Sequence, residues 1–374
     1  MARFTPSAPV RPARTLIVGI QSPSNKTGNI DSYFEEFKNL VSSNGIEYDQ
    51  AHFIKLRDID PAHFLTKGKL EELIDLCKKH QIEEVVFSEQ LSAQQERNLT
   101  DVLNAKVFDR TQLILEIFEK GAHSAEGKTQ VALALLEHQK SRLAGKGKTM
   151  SQQQGSIGQR GPGETQKEVE TQHIEHLMTR LRRELAHLRK VRATQRKQRV
   201  GSGIPHVCLV GYTNAGKSTI LNALTNAGVL AEDRLFATLD TTTRELFLEG
   251  KKKGLISDTV GFIQQLPHNL VEAFKSTLEE LQYAHLLLVV VDSSDKNWPL
   301  HIHVVNEVLG ELGVTAPRLY VFNKSDRVAD LEALEHATRS YDPHVIVHAD
   351  SKEGLQTMIH WLLEWFDRQK QKGS

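Results

Sequence analysis

The stretch GYTNAGKST (211–219) has the residue types and spacing of a phosphate-binding loop. It fits the pattern G-x-x-x-x-G-K-[ST] and lies between a predicted buried strand and a predicted helix, the context that this motif requires. Gly211 and Gly216 allow the backbone turn that aims N–H groups at phosphates. Lys217 can reach the outer phosphates, and the Ser218 hydroxyl can bind magnesium. The stretch therefore predicts a site for a nucleoside triphosphate and Mg²⁺.

A second stretch, DTVGF (258–262), has the form of a nucleotide switch. Asp258 can hold the magnesium shell, and the Gly261 N–H can sense a γ-phosphate. In many GTPases the next residue is a glutamine that orients the attacking water. Here it is Phe262, which cannot hydrogen-bond to water. The sequence thus predicts slow hydrolysis unless another group positions the water, and steric blocking by Phe262 is the alternative.

The stretch NKSD (323–326) indicates that the base is guanine. Asn323 and Lys324 can buttress the pocket, and the Asp326 carboxylate can accept from two adjacent N–H groups of guanine. Adenine lacks that pair of donors, and such mispairing can discriminate by about 10⁴–10⁵-fold. Further along, VHADSKEGL (347–355) offers the N–H of Ala349 to the guanine oxygen, although a histidine stands where serine is usual.

The stretch LFATLDTTTRELFL (235–248) supplies candidates for the threonine that closes on magnesium. They are Thr238, Thr241, Thr242 and Thr243. Thr238 is the first choice as metal ligand, with Ser218 and Asp258, and Thr242 is the second. The residues expected to act in catalysis are Lys217, Gly261 and Thr242. The remaining threonines would belong to a threonine-rich edge strand. The full set of predicted GTP-binding residues is Gly211, Tyr212, Thr213, Asn214, Ala215, Gly216, Lys217, Ser218, Thr219, Phe236, Ala237, Thr238, Leu239, Asp240, Asp258, Thr259, Val260, Gly261, Asn323, Lys324, Ser325, Asp326, His348, Ala349 and Asp350.

Composition is that of an ordinary globular protein. The chain has 374 residues, 39% hydrophobic and 25% charged, with a net charge of +0. Polyanion binding must therefore come from local patches. Cys77 and Cys208 are far apart and are expected to be reduced thiols. No apolar run approaches the roughly 18–20 residues that span a bilayer. We expect a cytoplasmic monomer with no membrane partner.

Apolar runs and helical patterns alternate in two parts of the chain, which indicates an α/β fold. An N-terminal α/β domain and a P-loop GTPase domain, with a doubly wound and mostly parallel sheet, flank a helical hairpin linker that resembles a coiled coil. The predicted divisions are a flexible tail (1–14), the N-terminal domain (15–125), a basic linker (126–200) with a Gly-rich loop (151–166), the GTPase domain (203–368) and a second tail (369–374).

The linker carries an apolar stripe and an excess of positive charge. Ile174, Leu177, Leu181, Leu185, Leu188 and Val191 recur at steps of three and four, which predicts one face of a long helix. Residues 138–200 contain fifteen Lys and Arg against five Asp and Glu. Two interpretations stay open, a solvated helix face and a contact with nucleic acid phosphates. The RNA-contact candidates are Arg160, Arg189, Lys190 and Arg192.

Four stretches together resemble the HflX family of ribosome-associated GTPases: GYTNAGKST, LFATLDTTTR, DTVGFIQQLPHNLVEAFKSTLEE and GQRGPGETQ. The resemblance runs from about residue 15 to residue 368. It implies binding to the large ribosomal subunit and its rRNA, GTP hydrolysis and, as in bacterial members, splitting of stalled or idle ribosomes under stress. It also implies ATP hydrolysis by the N-terminal domain in some members. The ribosome is then the expected source of the group that positions the water.

Alternatives to a GTP-driven switch remain on the sequence alone. One is an anti-association factor in which nucleotide only sets affinity for the ribosome, and another is an ATP-dependent RNA remodeller that uses the N-terminal domain. Asn214 is also open to two interpretations. It resembles the asparagine of potassium-activated GTPases, which would add K⁺ to the cofactors because the ion can do the work of an arginine finger. In the other interpretation it only hydrogen-bonds within the loop.

Overall fold

The computed structural model describes residues 13–25, 27–143, 162–201, 203–225, 235–239, 241–266 and 278–372. The chain divides into two compact units. One consists of residues 1–116 with 137–174, and the other consists of residues 117–136 with 175–374.

The first unit is built on four parallel strands: β1 (Thr15–Gln21), β2 (Gln50–Lys55), β3 (Glu84–Phe87) and β4 (Lys106–Phe108). They form one sheet in the order β2-β1-β3-β4. Its helices are α1 (Ile30–Ser43), α2 (Lys67–His80), α3 (Ala93–Leu103) and the first part of α4 (Arg110–Gly121).

Local sequence explains most of these elements. Strand β1 reads TLIVGIQ and is buried over its first six residues, as expected of a parallel strand covered on both faces. The Asn29 side chain caps α1, and Ser92 with Gln95 forms a capping box on α3. Strand β2 and helix α4 were not predicted. Strand β2 is an edge strand whose only buried residue is Ile54, so its sequence lacks an apolar run.

Two further helices, α5 (Ala125–Leu143) and α6 (Pro162–Gly201), form the predicted helical linker. Ile174 and Leu185 of the apolar stripe are buried, whereas Val191 at its end is 45% exposed. Each step of three residues turns the stripe by about 60°, so two steps beyond Leu185 carry it about 120° off the buried face. Residues 151–161 of the Gly-rich loop, including Arg160, lie outside the described residues.

The second unit is built on six strands: β5 (His206–Gly211), β6 (Thr242–Leu248), β7 (Lys251–Asp258), β8 (Leu286–Asp292), β9 (Arg318–Asn323) and β10 (His344–Ile346). Their order is β10-β9-β8-β5-β7-β6, and only the pairing of β6 with β7 is antiparallel. The helices that follow are α7 (Lys217–Thr225), α8 (Trp298–Glu311), α9 (Leu331–Thr338) and α10 (Gln356–Lys372). Residues Glu279–Tyr283 form a 3-10 turn ahead of β8.

The period-two alternation of the central strands creates a core on each face of this sheet. In β5, Val207 and Leu209 join one cluster with Leu362 of α10. Cys208 and Val210 point the other way and join a second cluster with Ile302 of α8. A sheet covered on both faces exposes the carboxyl ends of its strands, where ligands bind in doubly wound folds.

Candidate functional site

The predicted nucleotide motifs follow strands that are neighbours in the sheet of the second unit. The phosphate loop follows β5, the DTVGF stretch follows β7, and NKSD follows β9. Strand β5 pairs directly with β7 and β8, and β8 pairs with β9. Parallel strands end at the same edge of a sheet, so these loops share one crevice.

The second glycine of the phosphate loop is required by close packing. Gly216 has φ +93°, and a Cβ there would lie 2.2 Å from Nδ2 of Asn323. That amide nitrogen donates to the Ala215 carbonyl at 3.0 Å. Asn323 thus buttresses the loop from β9, and any side chain at position 216 would break this contact.

Lys217 is buried in the loop that it is predicted to serve. It is 6% exposed, and its Nζ donates to the Tyr212 carbonyl at 2.8 Å. Burial lowers the pKa of Lys217 to about 8, although the nearby Asp258 opposes this shift. Phosphate oxygens would supply the negative charge that favours the ammonium form.

Three oxygen ligands predicted for magnesium converge at the start of α7. The Ser218 hydroxyl donates to Oδ2 of Asp258 at 2.6 Å, and it lies 2.6 Å from the Thr238 hydroxyl. Oδ1 of Asp258 is buried without a hydrogen-bond partner among the described residues. Burial raises the pKa of Asp258, although the nearby Lys217 ammonium opposes this shift. Hard oxygen ligands with one free carboxylate oxygen fit Mg²⁺, which GTPases of this fold generally use.

Backbone hydrogen bonds hold the DTVGF stretch against the phosphate loop. Thr213 N donates to the Phe262 carbonyl at 2.8 Å, and Phe262 N donates to the Gly211 carbonyl at 3.2 Å. A Cβ on Gly261 would lie 2.8 Å from Cα of Thr213 and 2.9 Å from Nζ of Lys217. Gly261 therefore lies where its backbone can approach the outermost phosphate.

The side chain of Phe262 points away from the nucleotide site. It is 1% exposed and packs in the cluster that contains Val210, Leu281 and Val289. Phe262 therefore neither orients water nor covers the phosphates, and steric blocking, the alternative from the sequence, has no support in this geometry.

Tyr212 and His301 make contacts that the sequence did not signal. The rings stack with centroids 3.9 Å apart and planes 11° from parallel. The Tyr212 hydroxyl accepts a hydrogen bond from the backbone N–H of Gln264 at 2.8 Å. This is a third hydrogen bond between the phosphate loop and the segment 258–264. Burial lowers the pKa of His301, although Asp295 and Asp292 oppose this shift.

The four candidate threonines have different environments. Among the described residues, Thr238 is the candidate whose hydroxyl lies within hydrogen-bond distance of the Ser218 hydroxyl, at 2.6 Å. Thr242 begins β6 with its backbone opposite Asp258, and the Thr243 hydroxyl lies 2.7 Å from that of Ser257. The Thr241 hydroxyl oxygen is buried without a partner among the described residues. The geometry favours Thr238 as the metal ligand, and Asp240 lies outside the described residues.

The base-binding motifs are also brought together. Lys324 Nζ lies 2.7 Å from Oδ2 of Asp292 at the end of β8. Ser325 N donates to the Val347 carbonyl, which places Asp326 close to the turn that carries Ala349. The Asp326 side chain is 41% exposed and available to a base.

A cavity at this crevice is lined by Thr213, Asn214, Gly216, Lys217, Ser218, Thr219, Phe236, Ala237, Thr238 and Gly261. All ten belong to the predicted GTP-binding set. Within the described residues, none of the helices is both long and apolar enough to cross a membrane.

The fold and the site define a P-loop GTPase, and comparison with known proteins refines this class. Residues 31–119, 121–199 and 206–324 match family models described as "GTP-binding GTPase N-terminal", "GTP-binding GTPase Middle Region" and "50S ribosome-binding GTPase". The chain is 43% identical over 345 residues to the GTPase HflX of Caldanaerobacter subterraneus subsp. tengcongensis, covering 92% of this chain and 78% of the relative. It is 42% identical over 332 residues to GTPase HflX of Escherichia coli, covering 88% and 78%. The chain belongs to the HflX family of GTPases.

A solved structure shows the same fold. The crystal structure titled as the complex of SsGBP and GDP covers 95% of this chain and 99% of its own, with 22% identity and a TM-score of 0.50. The predictions of an α/β fold, a helical linker and a P-loop GTPase domain are confirmed. The chain is a GTPase that binds GTP and GDP.

Proposed function

We propose that this GTPase binds the large ribosomal subunit in its GTP form, hydrolyses GTP slowly alone and faster on the subunit, and separates the subunits of stalled or idle ribosomes. The observation that carries the proposal is the burial of Phe262 beside an otherwise assembled switch. The predicted phosphate loop, Thr238 and Gly261 line one cavity, whereas the Phe262 side chain packs in the core. The 50S-binding description of the matched GTPase domain supports the ribosome as the missing contributor.

The chain's own residues would stabilise charge rather than activate water. Lys217 would hold the outer phosphate oxygens, and the Gly261 N–H would donate to the γ-phosphate as charge develops there. Ser218, Thr238 and Asp258 would hold Mg²⁺, which neutralises charge on the β- and γ-oxygens when bound. Positioning of the attacking water is then the step that the ribosome supplies or orders.

The RNA contact proposed for the linker has its best support at Arg189 and Lys190, which are exposed on α6. Arg192 differs, because its Nε lies 2.8 Å from Oε2 of Glu126 and only 23% of its side chain is exposed. Its charge is therefore already compensated. We assign phosphate binding to Arg189 and Lys190 rather than to Arg192.

Hydrolysis with and without large subunits, in potassium buffer, tests the first part of the proposal. We expect a rise of at least about tenfold in the turnover rate when subunits are added. Rapid turnover by the protein alone, or no stimulation, would overturn it. A Lys217→Ala variant tests the switch, because splitting of ribosomes by this variant at the normal rate would favour the anti-association factor.

Binding to the large subunit at increasing salt tests the basic helix. We expect the Arg189→Gln, Lys190→Gln double variant to weaken binding and to reduce the salt slope by about one to two, since each lost phosphate contact removes about one. Lys78 and Lys79 are adjacent exposed lysines on α2 and provide a matched control double variant. If both double variants have equal salt slopes, Arg189 and Lys190 do not bind phosphates of the subunit.

A further inference from the structure

The switch segment that carries Thr238 is anchored by apolar side chains on both sides of that threonine. Phe236 is 4% exposed and Leu239 is 3% exposed. Phe236 also has φ +59°, a backbone conformation that is strained for a bulky residue and persists only when its surroundings hold it. Other residues must therefore pack on these two side chains and hold residues 235–239 in this conformation.

The residues that pack on Phe236 and Leu239 lie within 117–136. This stretch belongs to the second unit but precedes the matched GTPase domain at 206–324. The Phe118 ring meets the Phe236 ring edge to face, with centroids 4.6 Å apart and planes at 84°. Phe118 itself is 1% exposed. Such edge-to-face geometry is the favourable arrangement for an aromatic pair.

A second contact lies one helical turn further along α4. A Cβ on Gly121 would lie 2.8 Å from Cδ1 of Leu239 and 3.8 Å from the Phe236 carbonyl oxygen. Leu239 thus packs directly on the helix backbone, and glycine is the residue that allows this approach. Two independent contacts, from Phe118 and Gly121, bracket the segment that holds Thr238.

We infer that Phe118 and Gly121 are positioning residues of the GTPase site, which hold Phe236 and Leu239 so that Thr238 can close on the metal beside Ser218. The Thr238 hydroxyl lies 2.6 Å from that of Ser218, two residues after one anchor and one residue before the other. The GTPase domain alone, as delimited by its family match, is therefore incomplete. This inference rests on the GTPase activity and does not require the proposed ribosomal function.

Nucleotide affinities test the inference without relying on turnover. Thr238 is needed when the γ-phosphate is present, so binding of a non-hydrolysable GTP analogue with Mg²⁺ should weaken while GDP binding stays unchanged. For Phe118→Leu we expect the ratio of the two affinities to shift by up to about tenfold, the range of an aromatic pair. Hydrogen exchange of residues 235–239 with the analogue bound should become faster.

The matched control for this variant is Phe37→Leu. Phe37 is fully buried, and its ring stacks on the half-buried Phe34 ring at 6.2 Å, so the control also loses an aromatic contact from a buried position. It should lower stability and leave the ratio of affinities unchanged. A ratio that Phe118→Leu does not change, or that Phe37→Leu changes equally, would overturn the inference.

A Gly121→Ala variant keeps the test decisive if Phe118→Leu does not fold. Alanine favours the helix, so the thermal midpoint should not fall, but its Cβ must displace Leu239. Weaker binding of the analogue without loss of stability cannot come from a general structural defect. Gly310→Ala in α8 is the control, because a Cβ there meets nothing within 4 Å. Normal analogue affinity in Gly121→Ala would contradict the role of this helix.

Discussion

Replacing Phe262 by glutamine tests two explanations for the slow hydrolysis that we propose. If position 262 faced the γ-phosphate, Phe262→Gln would restore a water-orienting amide and accelerate hydrolysis. The structure predicts no such acceleration, because the Phe262 side chain is 1% exposed and lies among Val210, Leu281 and Val289. Its backbone is also fixed by hydrogen bonds to Gly211 and Thr213, which prevents the side chain from turning outward.

The size of the effect follows from that environment. Burial of a phenylalanine side chain contributes about 1.5–3 kcal/mol. An amide left unsatisfied in the same cavity costs about 1–3 kcal/mol. Together they predict that Phe262→Gln lowers the free energy of unfolding by about 2.5–6 kcal/mol. Phe262→Leu, which remains apolar, should cost about 1.5 kcal/mol or less.

Urea unfolding and hydrolysis by the isolated protein measure the two outcomes. Hydrolysis should be normalised to the nucleotide-binding fraction, so that unfolded protein does not lower the apparent rate. We expect no increase in turnover for either variant and the larger loss of stability for glutamine. A rate increase above about tenfold in Phe262→Gln, with little loss of stability, would refute the orientation of this side chain.

Three other predictions concern the base, the cation and a buried carboxyl group. Asp326→Asn should shift preference from guanosine to xanthosine nucleotides, and unchanged preference in a competition assay would remove the role of this carboxylate. Asn214 lines the phosphate cavity, so hydrolysis should be faster in K⁺ than in Na⁺, and Asn214→Ala should abolish that difference. Burial raises the pKa of Glu89, which accepts a hydrogen bond from Asn25. Because the pKa of Glu89 is higher in the folded state, its contribution to stability is present below pH of about 4.3 and is lost as the pH rises. Glu89→Gln should therefore stabilise the protein at pH 7 but not at pH 4, as measured by urea unfolding.

The sequence predicted the elements whose local pattern is strong. Strand β8 reads LLLVVVD, and its burial on both faces leaves no other assignment. Strand β2 was missed because an edge strand needs only one buried residue, here Ile54. The predicted stripe does not show where burial ends: Val191 is 45% exposed because steps of three residues gradually rotate a stripe around the helix.

Within the site, the sequence predicted the residues that form contiguous motifs. Asn323 and Gly216 were both identified, although the 3.0 Å bond from Asn323 to Ala215 joins residues 108 positions apart. A contact between single residues of two separate elements leaves no motif in the sequence. Neither Phe118 nor His301 lies in a motif, and their rings meet Phe236 and Tyr212 only in the folded chain.

These two ring contacts hold two parts of the nucleotide site, the segment around Thr238 and the phosphate loop. The Tyr212 hydroxyl and two backbone hydrogen bonds hold the segment from Gly261 to Gln264 against the phosphate loop. Phe118 holds the segment around Thr238 from its other side. In the function proposed above, these contacts would keep the residues that recognise the γ-phosphate in place, and the ribosomal surface would supply the group that orients water.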